Sequence, residues 1–259
     1  MRIATFNING IKARFDGLTD WLDTSAPDVA LLQEIKSQDD TFPRGHFEDL
    51  GYTVETHGQK GFNGVAILSR LRLEDVVRGL PGDPNDGQAR WIEATAVDRK
   101  PIRVCCLYLP NGNPAPGEKY DYKLAWMERL QRRAVELLAA EEPAVMAGDY
   151  NVIPQDEDAA RPDAWREDAL ARPETRAAFR EILNLGYTDA FRAGHQDAGH
   201  YSFWDYQRNA FDRNDGIRID HLLLTPQAAD LMNGCWIEAE VRGRERPSDH
   251  TPVWIELDA

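Results

Sequence analysis

Apolar residues along the chain fall mostly into short runs with a period of two, separated by turn residues, and only three segments carry a helical period. The strand-like runs cover residues 2–7, 28–33, 52–56, 64–69, 90–97, 102–109, 144–147, 218–225 and 251–257. The helical stripes are Phe15, Leu18, Trp21 and Leu22 before Pro27; Leu124, Met127, Leu130, Ala134, Leu137 and Leu138 up to Pro143; and Phe179, Ile182 and Leu183 up to Gly186. The early strands follow one another without a helix between each pair, which predicts hairpins and mixed or antiparallel sheets. Two sheets flanked by helices is the expected packing. Polar stretches at 81–88, 110–117, 154–173 and 205–216 have turn residues and no period, so they read as functional loops. Both halves of the chain open alike, with an apolar strand that ends in polar residues (Thr5 to Asn9 and Gly148 to Asn151), a hint of internal duplication. No linker separates two compositions, so a single domain over 1–259 is expected.

The 259 residues carry 44 acidic against 30 basic side chains, a formal charge of −14, with 42% apolar residues. That composition excludes a disordered chain. No apolar run is long enough for a membrane helix and the first residues lack a signal-peptide pattern, so the expectation is a cytoplasmic protein with no membrane partner. Cys105, Cys106 and Cys235 are too few and wrongly spaced for a disulfide framework or a structural zinc site. The acidic balance argues against general nucleic-acid binding, yet the charge is uneven. Residues 156–174 hold seven acids and three arginines, whereas 118–133 hold five basic residues against three acids, which leaves room for basic rims on an acidic body.

Candidate chemistry lies where polar residues interrupt apolar strands. Asn7 closes the first strand, Glu34 follows the second, and Asp149 and Asn151 share a face at the end of a third. Asp220 and the pair Asp249-His250 stand at the beginnings of later strands. If those strands run antiparallel to the others, all of these groups reach one rim. Carboxylates gathered there call for a cation, and oxygen donors such as Glu34 and the Asn7 amide suit Mg²⁺. His250, with Asp220 available to orient it, adds a base-and-orienter pair without any serine or cysteine nucleophile context. The set favours water as nucleophile and a phosphate ester as substrate. Singly, each motif has a plainer reading. Gly148–Asn151 and 248–251 are also turn sequences, Glu34 also pairs readily with Lys36, and Tyr108 and Trp204 also suit a core.

In order along the chain, however, Thr5-Phe6-Asn7-Ile8-Asn9-Gly10, Leu32-Gln33-Glu34-Ile35-Lys36, His57-Gly58-Gln59-Lys60-Gly61, Leu107-Tyr108-Leu109-Pro110-Asn111-Gly112, Gly148-Asp149-Tyr150-Asn151, Arg218-Ile219-Asp220-His221 and Pro247-Ser248-Asp249-His250-Thr251-Pro252-Val253-Trp254 form a specific series. The series resembles the endonuclease/exonuclease/phosphatase family, and within it the exonuclease III type of abasic-site endonuclease. The resemblance implies an α/β fold, a four-layered sandwich of two mixed β-sheets flanked by helices. It implies a Mg²⁺-dependent DNA-repair nuclease, with Mn²⁺ as a substitute. Such an enzyme cuts 5′ to abasic sites and works from recessed or blocked 3′ ends of duplex DNA, as a monomer.

It further implies roles. Glu34, with Asn7 and Asp249, would hold the metal. Asp149 would activate water, Asn151 would hold that water or a phosphate oxygen, and Tyr108 would donate to the phosphate. His250, oriented by Asp220, would bind the phosphate or transfer a proton, as imidazolium or as neutral ring. Lys60, Arg90, Asn111, Asn113 and Lys119 would lie on DNA phosphates, and Phe203 and Trp204 would form the pocket for a base-less sugar. Asn9 stands where some relatives have an aspartate, which disfavours a second metal.

Overall fold

The period-two segments pair into two six-stranded sheets in the computed structural model, which describes residues 1–259. The first sheet runs, in spatial order, β11 (Met232–Ile237), β12 (Val253–Leu257), β1 (Arg2–Asn7), β2 (Val29–Gln33), β4 (Val65–Ser69) and β3 (Thr53–His57). The second runs β5 (Arg72–Arg78), β6 (Trp91–Val97), β7 (Ile102–Tyr108), β8 (Ala144–Asp149), β10 (Asp220–Leu224) and β9 (Thr188–Asp189). Helices α1 (Ile11–Ser25) and α2 (Arg44–Asp49) cover the outer face of the first sheet, and α3 (Glu118–Ala139) and α4 (Pro173–Asn184) that of the second. Two short helices, α5 (Ala190–Gly194) and α6 (Pro226–Ala229), close the end near β10. This is the four-layered sandwich expected. No helix is long and apolar enough to cross a membrane.

Strand alternation sorts side chains between the layers. Ile3, Val29 and Leu31 meet Val104, Val145 and Leu222 between the sheets, while Ala4, Phe6 and Leu32 face Leu18 and Trp21 of α1. Cys105 and Cys106 obey the same rule, the first packing under α3 and the second between the sheets. Each fully buried Val, Leu or Ile in this central layer contributes about 1.5–3 kcal/mol, so the sheet-to-sheet contact holds the two halves as one body.

Each sheet has one parallel pair at its centre, β1 with β2 and β7 with β8, and antiparallel neighbours on both sides. In chain order β1 to β4 therefore correspond to β7 to β10. The duplication hinted at by the sequence is real in topology, but its register differs from the expectation. The counterpart of β1 is β7, and the strand ending in Asp149 corresponds to β2, the strand that leads into Glu34.

Three strands escape the periodicity. β5 is an edge strand whose Arg72, Glu74, Asp75 and Arg78 are exposed, so it has charge where a pattern search looks for apolar residues. β11 carries a bulge between Met232 and Gly234, and β9 has two residues.

A buried ion network ties the start of β10 to its surroundings. Arg218 is completely buried; its Nε donates to Asp158 Oδ1 at 2.7 Å and its terminal nitrogens to Asp189 at 2.9 and 3.2 Å. Burial pushes both carboxyls up, but Arg218 outweighs it and holds both below the usual carboxylate range. Because the folded values are depressed, the stabilisation is fully present above the ordinary carboxylate value of about 4. It is lost as the pH falls further. Arg218→Met should cost about 3–5 kcal/mol, since it leaves buried Asp189 without its cation and Asp158 with Arg192 alone. The check is the denaturant midpoint at pH 7, and an unchanged midpoint would contradict it.

Candidate active site

Four strand ends and two strand beginnings converge on one edge of the sandwich. Asn7, Tyr108 and Asp149 are the last residues of β1, β7 and β8, and Glu34 follows β2 directly. β10 is antiparallel to β8 and places its first residue, Asp220, opposite Asp149. β12 is antiparallel to β1 and brings in Asp249-His250 just before it starts. The condition set by the sequence, antiparallel late strands, is thus met.

Local backbone supports the convergence. Gly148 precedes Asp149 because β7 runs close alongside; a Cβ there would come within 1.9 Å of the Leu107 carbonyl oxygen. Asn9, Glu34, Lys36 and Asn151 all have left-handed φ, 47°, 51°, 50° and 48°. Asn tolerates this region, whereas for Glu34 and Lys36 it is uncommon and marks strain held at the site.

Asp149, 2% exposed, is the centre. It accepts from Asn7 Nδ2 at 2.9 Å and from the Asn151 backbone N–H at 2.8 Å, and it lies 3.7 Å from His250 Nε2. His250 Nδ1 is 2.8 Å from Asp220 Oδ2, which also accepts from Ser202 Oγ at 2.6 Å. The other Asp220 oxygen is buried without a partner, so this carboxylate's bonds are all made through one atom. Burial pushes the His250 pKa down, but Asp220 and then Asp149 carry it up to about 10. Burial raises Asp149 to about 7 against the pull of His250. The two carboxyl groups beside it favour the imidazolium form of His250.

On the other side of Asn7, the same amide nitrogen donates to Glu34 Oε1 at 3.0 Å. The Asn7 oxygen accepts from the Asn9 N–H, so Asn7 bridges the two carboxylates by donating to both. Burial pushes the Glu34 pKa up, yet the bonds from Asn7 and Lys36 outweigh it and keep the carboxyl below its ordinary value. Lys36 Nζ lies 2.9 Å from Glu34 Oε2 and also donates to Asn9 Oδ1, while Asn9 Nδ2 donates to Asp249 Oδ1 at 3.0 Å. A cationic group already sits among these oxygens. Their open position and all-oxygen chemistry fit a hard divalent ion. Asp149, Asp220 and His250 also bring ligand atoms within 4.8 Å of one another, a spacing a metal could accept. The one hydrogen bond within that cluster joins His250 Nδ1 to Asp220 Oδ2, while Asp149 lies 3.7 Å from His250 Nε2.

Burial, with the Glu34 and Asp149 carboxylates nearby, pushes the Tyr108 phenol well above its usual value, so it stays a proton donor. Arg90 stacks over its ring at 4.7 Å and donates to its carbonyl oxygen and to Gln88. Arg90, expected on DNA phosphates, is therefore engaged in holding Tyr108. Asn111 and Asn113 line the cleft, with Asn111 Nδ2 donating to Asn151 Oδ1 at 3.1 Å. Lys60 and Lys119 are exposed on the β3–β4 loop and the first turn of α3 and do not line it. Lys123 and Arg129, part of the basic stretch read from the sequence, are buried, so the basic rim is narrower than expected.

The cleft holds about 170 Å³. Phe203 forms part of its apolar wall and packs edge-on against His250 at 5.0 Å. Trp204 does not: it is 2% exposed, packed behind the cleft with Tyr201 and Phe211 and bonded through Nε1 to Asn214. One-residue alternation turns Phe203 in and Trp204 away. The wall is completed by Trp165, Leu170, Ile217 and Ile219, which sequence reading missed. Trp165 alone carried a signal, a lone tryptophan within a polar stretch that has no period.

Fold and site together define a phosphodiester hydrolase with a buried aspartate, Asp149, lying between an oxygen-rich cluster and His250. A model of the Endonuclease/Exonuclease/phosphatase family matches residues 4–250, and the chain belongs to that family. It is 36% identical to exodeoxyribonuclease III of Haemophilus influenzae over 99% of this chain and 100% of that one. Among solved structures, an AP endonuclease from Archaeoglobus fulgidus superposes with a TM-score of 0.95 at 37% identity, covering 100% of both chains. A 3′ phosphatase from Neisseria bound to a product DNA hairpin does so with a TM-score of 0.95 at 36% identity, again covering 100% of both.

Proposed function

We propose that the protein is a Mg²⁺-dependent DNA-repair nuclease, accepting Mn²⁺, that hydrolyses the phosphodiester 5′ to abasic sites and also trims or cleans 3′ ends of duplex DNA. The observation that carries this reading is Asp149. It is buried between Asn7 and His250, at the junction of an oxygen-rich cation site and an apolar-walled cleft. Glu34, with Asn7 and Asp249, would hold the metal, the Asn7 amide also bridging Glu34 and Asp149. The bound ion would supply charge neutralisation at the phosphate.

The chain's own groups supply the rest. Asp149 takes a proton from the attacking water while Asn151 holds that water or a phosphate oxygen. Tyr108 donates to the phosphate, and the His250 imidazolium, fixed by Asp220, stabilises the charge that builds on the phosphoryl oxygens. The new bond joins the water oxygen to phosphorus and the bond to the 3′ oxygen of the upstream nucleotide breaks. Phe203 and its apolar neighbours receive a base-less sugar, whose extrusion costs little stacking. Lys60, Asn111, Asn113 and Lys119 meet backbone phosphates. A sheet-to-sheet core shared by both halves supports one domain over 1–259, and we propose that it works in the cytoplasm as a monomer.

The test is cleavage of an end-labelled duplex carrying one stable abasic analogue, beside an intact duplex, in Mg²⁺ and in EDTA. A single Mg²⁺-dependent cut immediately 5′ of the analogue, with shortening of the intact strand from its 3′ end, is expected. No cutting by folded protein in either duplex would turn the reading toward phosphomonoester or head-group substrates.

A further inference from the structure

Lys123 of α3 is fully buried, and its ammonium has no carboxylate partner. Its acceptors are two backbone carbonyls, Asn111 O at 3.1 Å and Asn151 O at 2.6 Å. These belong to two different loops beneath the cleft, one following β7 and the other following β8. Three consecutive carbonyls of the second loop are capped by side chains from three elements. Lys123 takes Asn151 O, His221 Nε2 takes Val152 O at 2.9 Å, and Arg176 Nε takes Ile153 O at 2.9 Å. Only Lys123 among the three reaches the first loop as well, where Gly112 closes over its stem; a Cβ on Gly112 would come within 2.6 Å of Lys123 Cδ.

Asn151 is the piece held by this arrangement. Its left-handed backbone presents its N–H to Asp149, its Nδ2 to Leu109 O at 2.9 Å and its Oδ1 to Asn111 Nδ2. A lysine amine buried this deeply, its pKa pulled down to about 7 by desolvation, costs stability relative to an apolar side chain of the same length. Bulk packing is therefore a poor account of a lysine here.

We propose that Lys123 is a positioning residue for the reaction, joining the 109–113 and 149–153 loops from beneath and so setting where Asn111, Asn151 and Asp149 stand relative to the phosphate. The inference rests on the nuclease reading above. It acts through the two asparagines and the aspartate, without contact with substrate or metal.

The experiment compares Lys123→Met with the wild type on the abasic duplex, measuring kcat, KM, the Mg²⁺ concentration for half-maximal rate, and Tm. Displacing reacting groups by about 1 Å costs about 100-fold, so kcat should fall by about that factor. KM and the Mg²⁺ requirement should stay within about threefold, because the Glu34 side of the site is untouched. A merely structural role would move Tm and KM while sparing kcat. A kcat fall of less than about tenfold, or an equal loss through KM, overturns the inference. Should Lys123→Met not fold, Lys123→Gln, whose shorter stem cannot reach both carbonyls, is judged by the same criteria. Failure of the wild type to cut would sink the nuclease reading itself, whereas a wild type that cuts beside an unimpaired variant sinks only this inference.

Discussion

Replacing Asp149 by asparagine is expected to lower kcat on the abasic duplex by on the order of 10³–10⁴-fold and to leave DNA binding within about threefold. The substitution keeps the volume and removes the carboxylate proposed to take a proton from water. It also disturbs the hydrogen bonds, because Asp149 accepts from two donors, Asn7 Nδ2 and the Asn151 N–H. An asparagine can accept only one of them through oxygen, and its NH₂ then meets the NH₂ of Asn7. Single-turnover cleavage checks the first claim and equilibrium binding in EDTA the second. Turnover near that of the wild type would move water activation to another group. A parallel loss of binding would assign Asp149 to substrate attraction.

Glu34→Gln is the second large effect. It removes the carboxylate that Asn7 and Lys36 keep ionised, leaving Asp249 as the remaining charged oxygen donor on that side. Losing a direct ligand should exceed the 10–100-fold typical of groups one shell further out. The Mg²⁺ concentration for half-maximal rate should therefore rise at least about tenfold, and kcat at saturating Mg²⁺ should fall by about 100-fold or more. The freed Lys36 stays beside Asn9, so the variant should fold normally. A metal titration of the rate decides it. An unchanged Mg²⁺ requirement would place the ion elsewhere, with the cluster of Asp149, Asp220 and His250 as the next candidate.

Much of this was legible in the chain. Nine of the twelve strands and the three long helices follow from apolar period, since a half-buried strand or helix must alternate where it meets the core. The strands that escaped were an edge and two irregular pieces, in which the core does not impose that alternation. Asn7, Glu34, Asp149, Asn151, Asp220, Asp249 and His250 were visible as polar interruptions at strand ends, because strand termini at one edge of an α/β sheet are where side chains leave the core together, whereas Tyr108 came only through the family resemblance. The misplacements are equally physical. Trp204 and Phe203 are neighbours in sequence and point opposite ways, and Arg90 is drawn to the face of Tyr108. The apolar wall from Trp165, Leu170, Ile217 and Ile219 comes from segments whose contact is set by loop path, about which periodicity is silent.

By itself, then, the sequence determined the layers, the rim and the identity of the groups on it, since these depend on local period and on side-chain chemistry. The tertiary structure alone decided other pairings across long separations: Asn7 with Asp149 across the two sheets, and Lys123 with two loops. It also set the electrostatic surroundings of His250, where Asp220 and Asp149 raise its pKa. Whether an imidazole 4% exposed is protonated depends on which carboxylates share its low-dielectric surroundings, and those neighbours are brought to it only when both sheets close on each other.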